Sequence, residues 1–207
     1  IFMKLFNISL LQVKRPLVWL TYFVFLVCIL PMAIFAYNRP SYNWDMLAYM
    51  ALIVKMENSD IDEVHKITYS SIKEDIPAEE YGKLISGALR QERFQNPAEF
   101  NRVLPFYAVK PLYIWISYIC YSGGLSLPQS TVLPSILSYL FIGLLLFHWL
   151  SMHHKFFFAF IAALLIMFSS VMIAMARLST PDCISALFLF TAFYFILERP
   201  SVIGAFF

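Results

Sequence analysis

The sequence predicts an all-α polytopic membrane protein whose first external loop is long and itself helical. Hydrophobic residues make up 60% of the 207 residues and aromatics 18%, while charged residues make up only 14%, against about 25% in a soluble domain. The charges are also segregated, with 20 of the 28 falling between Arg39 and Lys110. Four stretches are left almost bare: 16–38, 131–152, 156–176 and 183–197. A helix needs about 20 apolar residues, within about 17–25, to cross a hydrocarbon core. The first three stretches meet that length, and the fourth meets it if 180–182 lies in the interface.

The chain accordingly divides in three. Residues 1–38 form a cytoplasmic N-terminus and the first span, 39–130 an external loop, and 131–207 spans two to four and the start of a further segment. The first apolar run exceeds the roughly 7–15 residues of a signal-peptide core, so it reads as an uncleaved anchor. Lys4, Lys14 and Arg15 precede it, and positive charge marks the cytoplasmic side, which puts the charged block from Arg39 onward outside. After Glu198-Arg199-Pro200, residues 201–207 read as the opening of a fifth apolar segment, so the expectation is a chain that continues. The net charge of +2 is too small to point to nucleic acid. Cys28, Cys120 and Cys183 lie in apolar surroundings without a CxxC and read as packing residues.

Residues 111–127 carry no charge, yet their dense apolar run of 11 residues stops at Ser122-Gly123-Gly124. Eleven helical residues cover about 16 Å, roughly half a bilayer core. If this segment crosses, His153-His154-Lys155 falls outside and Asp182 inside. If it is re-entrant or interfacial, His153-His154-Lys155 falls inside and Asp182 outside, which respects the positive-inside bias. The second count is preferred.

The external loop is patterned. Asn43 is placed to cap a helix from Trp44 to about Met56, with Met46, Leu47, Met50, Ile53 and Met56 in a stripe. Ser59 with Asp62 resembles a capping box opening a helix to about Lys73. Pro77 suits a first helical position, Glu79 and Glu80 follow, and Tyr81, Leu84, Ile85, Ala88 and Leu89 share a face that Arg90 and Arg93 close. Such helices are expected on the outer membrane surface or against the spans.

Two acids stand out by position. Asp45 opens the first loop helix, and Asp182 follows Thr180, read as an N-cap, and Pro181, read as a first helical residue. Both carboxylates fall in a first helical turn at the outer face, where the dipole favours negative charge by about 0.3–1 kcal/mol. Each alone has an ordinary reading as a helix stabiliser; two on one side of a membrane suggest a site that accepts a proton, orients a hydroxyl or binds a metal. Lys110 precedes an apolar segment, where it can meet a lipid phosphate or simply snorkel to the interface. Arg177 has the same two readings. His153-His154 reads as a polar cytoplasmic turn rather than a metal pair, since no carboxylate or cysteine accompanies it in sequence.

The order of these features resembles the GT-C glycosyltransferases, especially bacterial relatives of protein O-mannosyltransferases and of the lipid A aminoarabinose transferase. The residues that carry the resemblance are Asp45 and Tyr49, then Lys110, Pro111, Leu112, Tyr113 and Trp115, then Arg177, Thr180, Pro181 and Asp182. The resemblance implies a multi-pass protein of a bacterial inner membrane, with its site facing the periplasm or exterior. It implies catalytic roles for Asp45 and Asp182, and substrate contacts from Lys110, Arg177, Tyr49 and Tyr113. The implied donor is a sugar on a polyprenyl phosphate, the acceptor an unidentified hydroxyl, and membrane lipids the surroundings. A divalent metal is compatible with the family, but the second acid that many members carry is missing: Trp44 and Met46 flank Asp45, and Ala108-Val109 precede Lys110. No metal ligand is assigned. The rival reading is a non-catalytic membrane protein: an assembly factor, a transporter subunit or a GT-C scaffold that only binds. Transport is disfavoured because the ionisable residues sit at span ends and not at the midplane.

Overall fold

The computed structural model describes residues 15–198, with the side chains of 15–17 excepted. Lys4 and Lys14, on which the orientation rests, lie outside the described residues, as do Arg199 and the apolar segment 201–207. Regular structure in the described residues is helical, apart from one isolated parallel bridge between Ser41 and Leu178.

Two helices are long and apolar enough to cross a membrane, or up to four if each of two bent helix pairs is one span. The first is α1 (Arg15–Asn38) and the second α9 (Leu127–His153). They lie antiparallel: Tyr22 Oη, early in α1, sits 2.7 Å from Nδ1 of His148, late in α9. Phe25, Ile29, Ala33 and Ala36 form the buried face of α1, and Phe25 stacks on Phe147 at 4.8 Å. The opposite face of α1 exposes Trp19, Phe23, Val27 and Ile34. A helix apolar all round, with one apolar face left uncovered, suits lipid far better than water.

The stretch 156–176 was expected as one span; it is two helices, α10 (Phe156–Met167) and α11 (Ser170–Arg177), bent by 58°. The cause is local. Ser169 is extended, and its hydroxyl accepts the Met172 N–H at 3.4 Å, capping a new helix where the old one should continue. The chain then enters α12 (Asp182–Glu198), whose 17 residues sit at the short end of the spanning range of about 17–25.

Between α1 and α9 lie seven helices. They are α2 (Trp44–Val54), α3 (Ile61–Asp75), α4 (Ala78–Ile85), α5 (Ala88–Gln95), α6 (Pro97–Val103), α7 (Pro105–Ala108) and α8 (Pro111–Ser122). Asn43 caps α2 as expected, its Oδ1 accepting the Met46 N–H at 2.9 Å. Of the two expected places, α2 takes the one against the spans, packing on α9 and forming the core of the loop domain: of its expected stripe Met46, Leu47, Met50 and Ile53 are buried, and Met56, beyond its end, is exposed. The cap of α3 is Asp60 and not Ser59; its carboxylate accepts the Asp62 N–H, one residue later than the capping-box reading. The helix expected from Pro77 to Arg93 breaks at Ser86-Gly87, because Gly87 adopts φ +94°, a conformation that costs glycine least. Leu84 is buried before the break, whereas Leu89 after it is exposed.

Helix α8 matches the expected apolar run and ends at Gly123-Gly124, where Gly124 takes φ +98°. It meets the preceding helices at 112°. Ser41 at the end of α1 donates its N–H to the Arg177 carbonyl at 2.8 Å, and Ser135, early in α9, bonds the Thr180 carbonyl at 3.0 Å. Both ends of the loop domain therefore meet the α11–α12 turn, so α8 returns the chain to the end of the bundle from which it left.

A close helix contact centres on Gly143 of α9. A Cβ there would meet Ile29 Cδ1 at 2.9 Å and Met167 Cε at 3.1 Å. Both are ends of flexible side chains, so Gly143→Ala should fold, its clash offset by up to about 1 kcal/mol of helix propensity. Gly143→Leu should overpack the α1–α9–α10 contact and cost about 1–3 kcal/mol. Thermal melting in detergent reads the difference, and a wild-type midpoint for the leucine variant would rule out this packing.

Candidate functional site

The site lies at the bundle end where α1, α2, α8, α9 and α12 meet. Its position follows from the Ser41–Leu178 bridge. Four residues past Ser41 comes Asp45, in the first turn of α2; four past Leu178 comes Asp182, in the first turn of α12. One pairing thus delivers both predicted acids to the same place.

Beside Asp45 stands a cluster of tyrosines. Tyr49, one turn after Asp45, packs edge-on against Tyr107 at 5.4 Å and Tyr113 at 4.8 Å, and Ile184 of α12 completes the group. Burial pushes the Tyr49 phenol well above its ordinary range, and the charges of both Asp45 and Asp182 add to that push. Both carboxylates therefore bear on one side chain. Tyr113 is fully buried, and its hydroxyl donates to the Thr131 carbonyl at 2.6 Å, which locks α8 to the start of α9. Of the two predicted substrate tyrosines, Tyr113 has its hydroxyl committed to the scaffold, and Tyr49 is buried against Tyr107 and Tyr113.

Asp45 is half-buried, and its Oδ1 accepts the Tyr107 hydroxyl at 2.9 Å. Burial, then the bond to Asp45 and its charge, push the Tyr107 phenol up to about 12. Asp182 is exposed, and its Oδ2 accepts the Thr180 hydroxyl at 2.7 Å. Thr180 was expected to cap the helix; it orients the acid instead. Lys110 is exposed at the mouth of α8, and its backbone N–H reaches the Tyr107 carbonyl at 3.4 Å, so one turn of chain joins this lysine to the partner of Asp45. Among the described residues the Lys110 ammonium meets no acceptor.

Arg177 is differently placed. Its Nε donates to the Arg39 carbonyl at 2.5 Å, and its guanidinium lies over Phe35 at 5.4 Å. It clamps the end of α1. At the far end of the bundle His153 Nε2 lies 2.6 Å from Glu198 Oε1, which also accepts the Trp149 indole N–H at 2.8 Å. A carboxylate therefore does accompany the histidine pair, brought by α12 from 45 residues away. Among the described residues no three His, Cys, Asp or Glu side chains group to hold a metal ion, and Asp45 and Asp182 gain no third ligand.

Two residues were not anticipated. Tyr107 could have been suspected, since it sits one helical turn before Lys110. Arg93 could not, because it reads as an ordinary helix-closing cation, whereas in the fold its guanidinium lies 4.5 Å from the ring centroid of Trp44, beside Asp45.

No protein-family model matches the chain, and neither a curated protein nor a solved structure matches it. The likeness to GT-C enzymes rests on the residues quoted for it.

The raised Tyr107 phenol favours its neutral form in the folded protein. Its stabilising effect is therefore fully present below pH 10 and is lost as pH rises towards about 12. Tyr107→Phe should remove one late-titrating phenol from the alkaline absorbance titration and cost on the order of 1 kcal/mol at neutral pH. Loss of a phenol that titrates at the ordinary pH of about 10, with an unchanged melting curve, would mean that the bond to Asp45 does not form.

Proposed function

We propose that this chain is a multi-pass membrane glycosyltransferase of the GT-C kind, transferring a sugar from a polyprenyl-phosphate donor to an acceptor hydroxyl at the outer membrane face. The observation that carries the reading is the convergence of two first-turn carboxylates, Asp45 and Asp182, on Tyr49 at one bundle end, with Lys110 one turn from the partner of Asp45. The motifs that resemble GT-C enzymes are the ones that meet there.

In this reading the acceptor oxygen attacks the anomeric carbon while the bond from that carbon to the phosphate oxygen breaks. The phosphate leaves with the electron pair, and the configuration inverts. Asp45 takes the acceptor proton on Oδ2, since Oδ1 is held by Tyr107. Lys110 stabilises the charge that develops on the departing phosphate. Asp182, exposed and held by Thr180, orients the acceptor. A lipid-linked donor suits a site outside the cytoplasm, where nucleotide sugars are scarce. Asp45 and Asp182 then face one compartment, with His154 on the other side.

Positioned proton transfer is worth about 10²–10⁴-fold in rate, so Asp45→Asn should lose about that much transfer from a polyprenyl-phosphate sugar in liposomes. Its melting curve should barely move, because asparagine is tolerated near helix N-termini. Near-normal transfer would remove the base, and an equally harmless Asp182→Asn would leave a binding scaffold.

Topology has its own check. In a background without Cys28, Cys120 and Cys183, cysteines replace the exposed residues Glu79 and His154. An impermeant thiol reagent added from outside should label position 79 and spare 154. The reverse pattern would invert the proposed orientation.

A further inference from the structure

The balance of donors and acceptors around Asp45 does not close. Asp45 Oδ1 is taken by Tyr107 and Asp182 Oδ2 by Thr180. Against them stand three donors without an acceptor. The guanidinium of Arg93 lies over Trp44 and, among the described residues, meets no carboxylate and no hydrogen-bond acceptor. The Trp44 indole N–H is buried with no partner. Lys110 is exposed and unpaired. A series of contacts links the three: Arg93 lies over Trp44, the rings of Trp44 and Tyr107 are 6.0 Å apart, and Lys110 follows Tyr107 by one turn of chain. Arg93 bears on the same pair, since its charge pulls the Tyr107 phenol down against the push of burial and Asp45.

Arg93 is also held in place. Its carbonyl accepts the Nε2–H of His65 at 3.0 Å, and its guanidinium is fixed against a ring that is itself packed edge-on against Phe100. An arginine so anchored, half-buried and without a counter-ion, has a planar fork ready for two acceptor oxygens. We propose that Arg93, stacked on Trp44, forms with Lys110 an anion site that takes the phosphate of the lipid carrier. The site rests on the glycosyltransferase reading for the identity of that lipid, and it assigns to Arg93 the role that the sequence had offered to Arg177.

The test uses the full chain in detergent with three probes: farnesyl phosphate, farnesol and inorganic phosphate, each titrated by calorimetry. Farnesyl phosphate should bind at least about 10-fold more tightly than farnesol, and Arg93→Gln should remove about 10–100-fold of its affinity, the range for a charge-assisted contact. Arg93→Lys should restore part of it. Arg93→Gln that melts like wild type and binds farnesyl phosphate equally well would overturn the proposal. Inorganic phosphate binding as tightly as farnesyl phosphate, with the same dependence on Arg93, would keep the anion site and remove the lipid as its source. Should Arg93→Gln fail to fold, phenylglyoxal modification of the wild-type protein decides: farnesyl phosphate must shield Arg93 in the peptide mass spectrum, and absence of shielding overturns the site. Failure of the transferase reading is separable, since loss of transfer in every assay with Arg93-dependent binding intact would leave a phosphate-lipid receptor.

Discussion

Two bonds at one end of the bundle set where everything polar goes. The Ser41 N–H donates to the Arg177 carbonyl, and the Arg177 guanidinium returns a bond to the Arg39 carbonyl. Each closes a break in the helical ladder, after Asn38 and after Arg177. Backbone donors and acceptors freed at a helix end need partners, and here two breaks far apart in sequence satisfy each other. The consequence is geometric. Helices α2 and α12 start from adjacent points, so the acid four residues past each pairing partner falls at the same end of the bundle.

A tyrosine cluster packs at that joint. Tyr49, Tyr107 and Tyr113 come from α2, α7 and α8, and their edge-to-face contacts put aromatic surface beside Asp45. The hydroxyl of Tyr113 fixes α8 against α9, while that of Tyr107 reaches Asp45. The same residue type therefore does two jobs, and burial separates them. A phenol bonded to a main-chain carbonyl holds the scaffold, and a phenol bonded to a half-buried carboxylate leaves the other oxygen of that acid for chemistry.

Much of this was legible in the sequence where a residue acts through its neighbours along the chain. Asn43 announces α2, Gly123-Gly124 ends α8 short of a bilayer's thickness, and the bare stretches announce α1 and α9. The continuity of a helix was less legible where a local hydrogen bond or a special φ interrupts it. Ser169 recaps a helix inside the expected third span, and Gly87 splits the helix that carries Arg93. Hydropathy is blind to both, because a break in the backbone leaves the pattern of apolar residues on either side unchanged. Contacts between distant residues were out of reach altogether: Tyr107 with Asp45, Glu198 with His153 and Arg93 with Trp44 are products of the fold.

Arg177 and Arg93 show why motif position alone does not identify a working cation. Arg177 stands next to the Thr180-Pro181-Asp182 segment and looks like the better candidate, yet a backbone carbonyl already occupies its Nε. Removing it would loosen the joint that sets both acids, so loss of activity on its mutation would say little about substrate. Arg93 lies in a helix with no motif of its own, and the ring of Trp44 supports its guanidinium without taking its donors. A cation–π contact fixes position and leaves hydrogen-bonding capacity unspent, which is what an anion-binding residue needs. The same accounting separates Tyr107 from Tyr113 and Asp45 from Glu198, whose Oε1 is already shared by Trp149 and His153. At this end of the bundle, the groups available for chemistry are those that the scaffold holds in place without consuming.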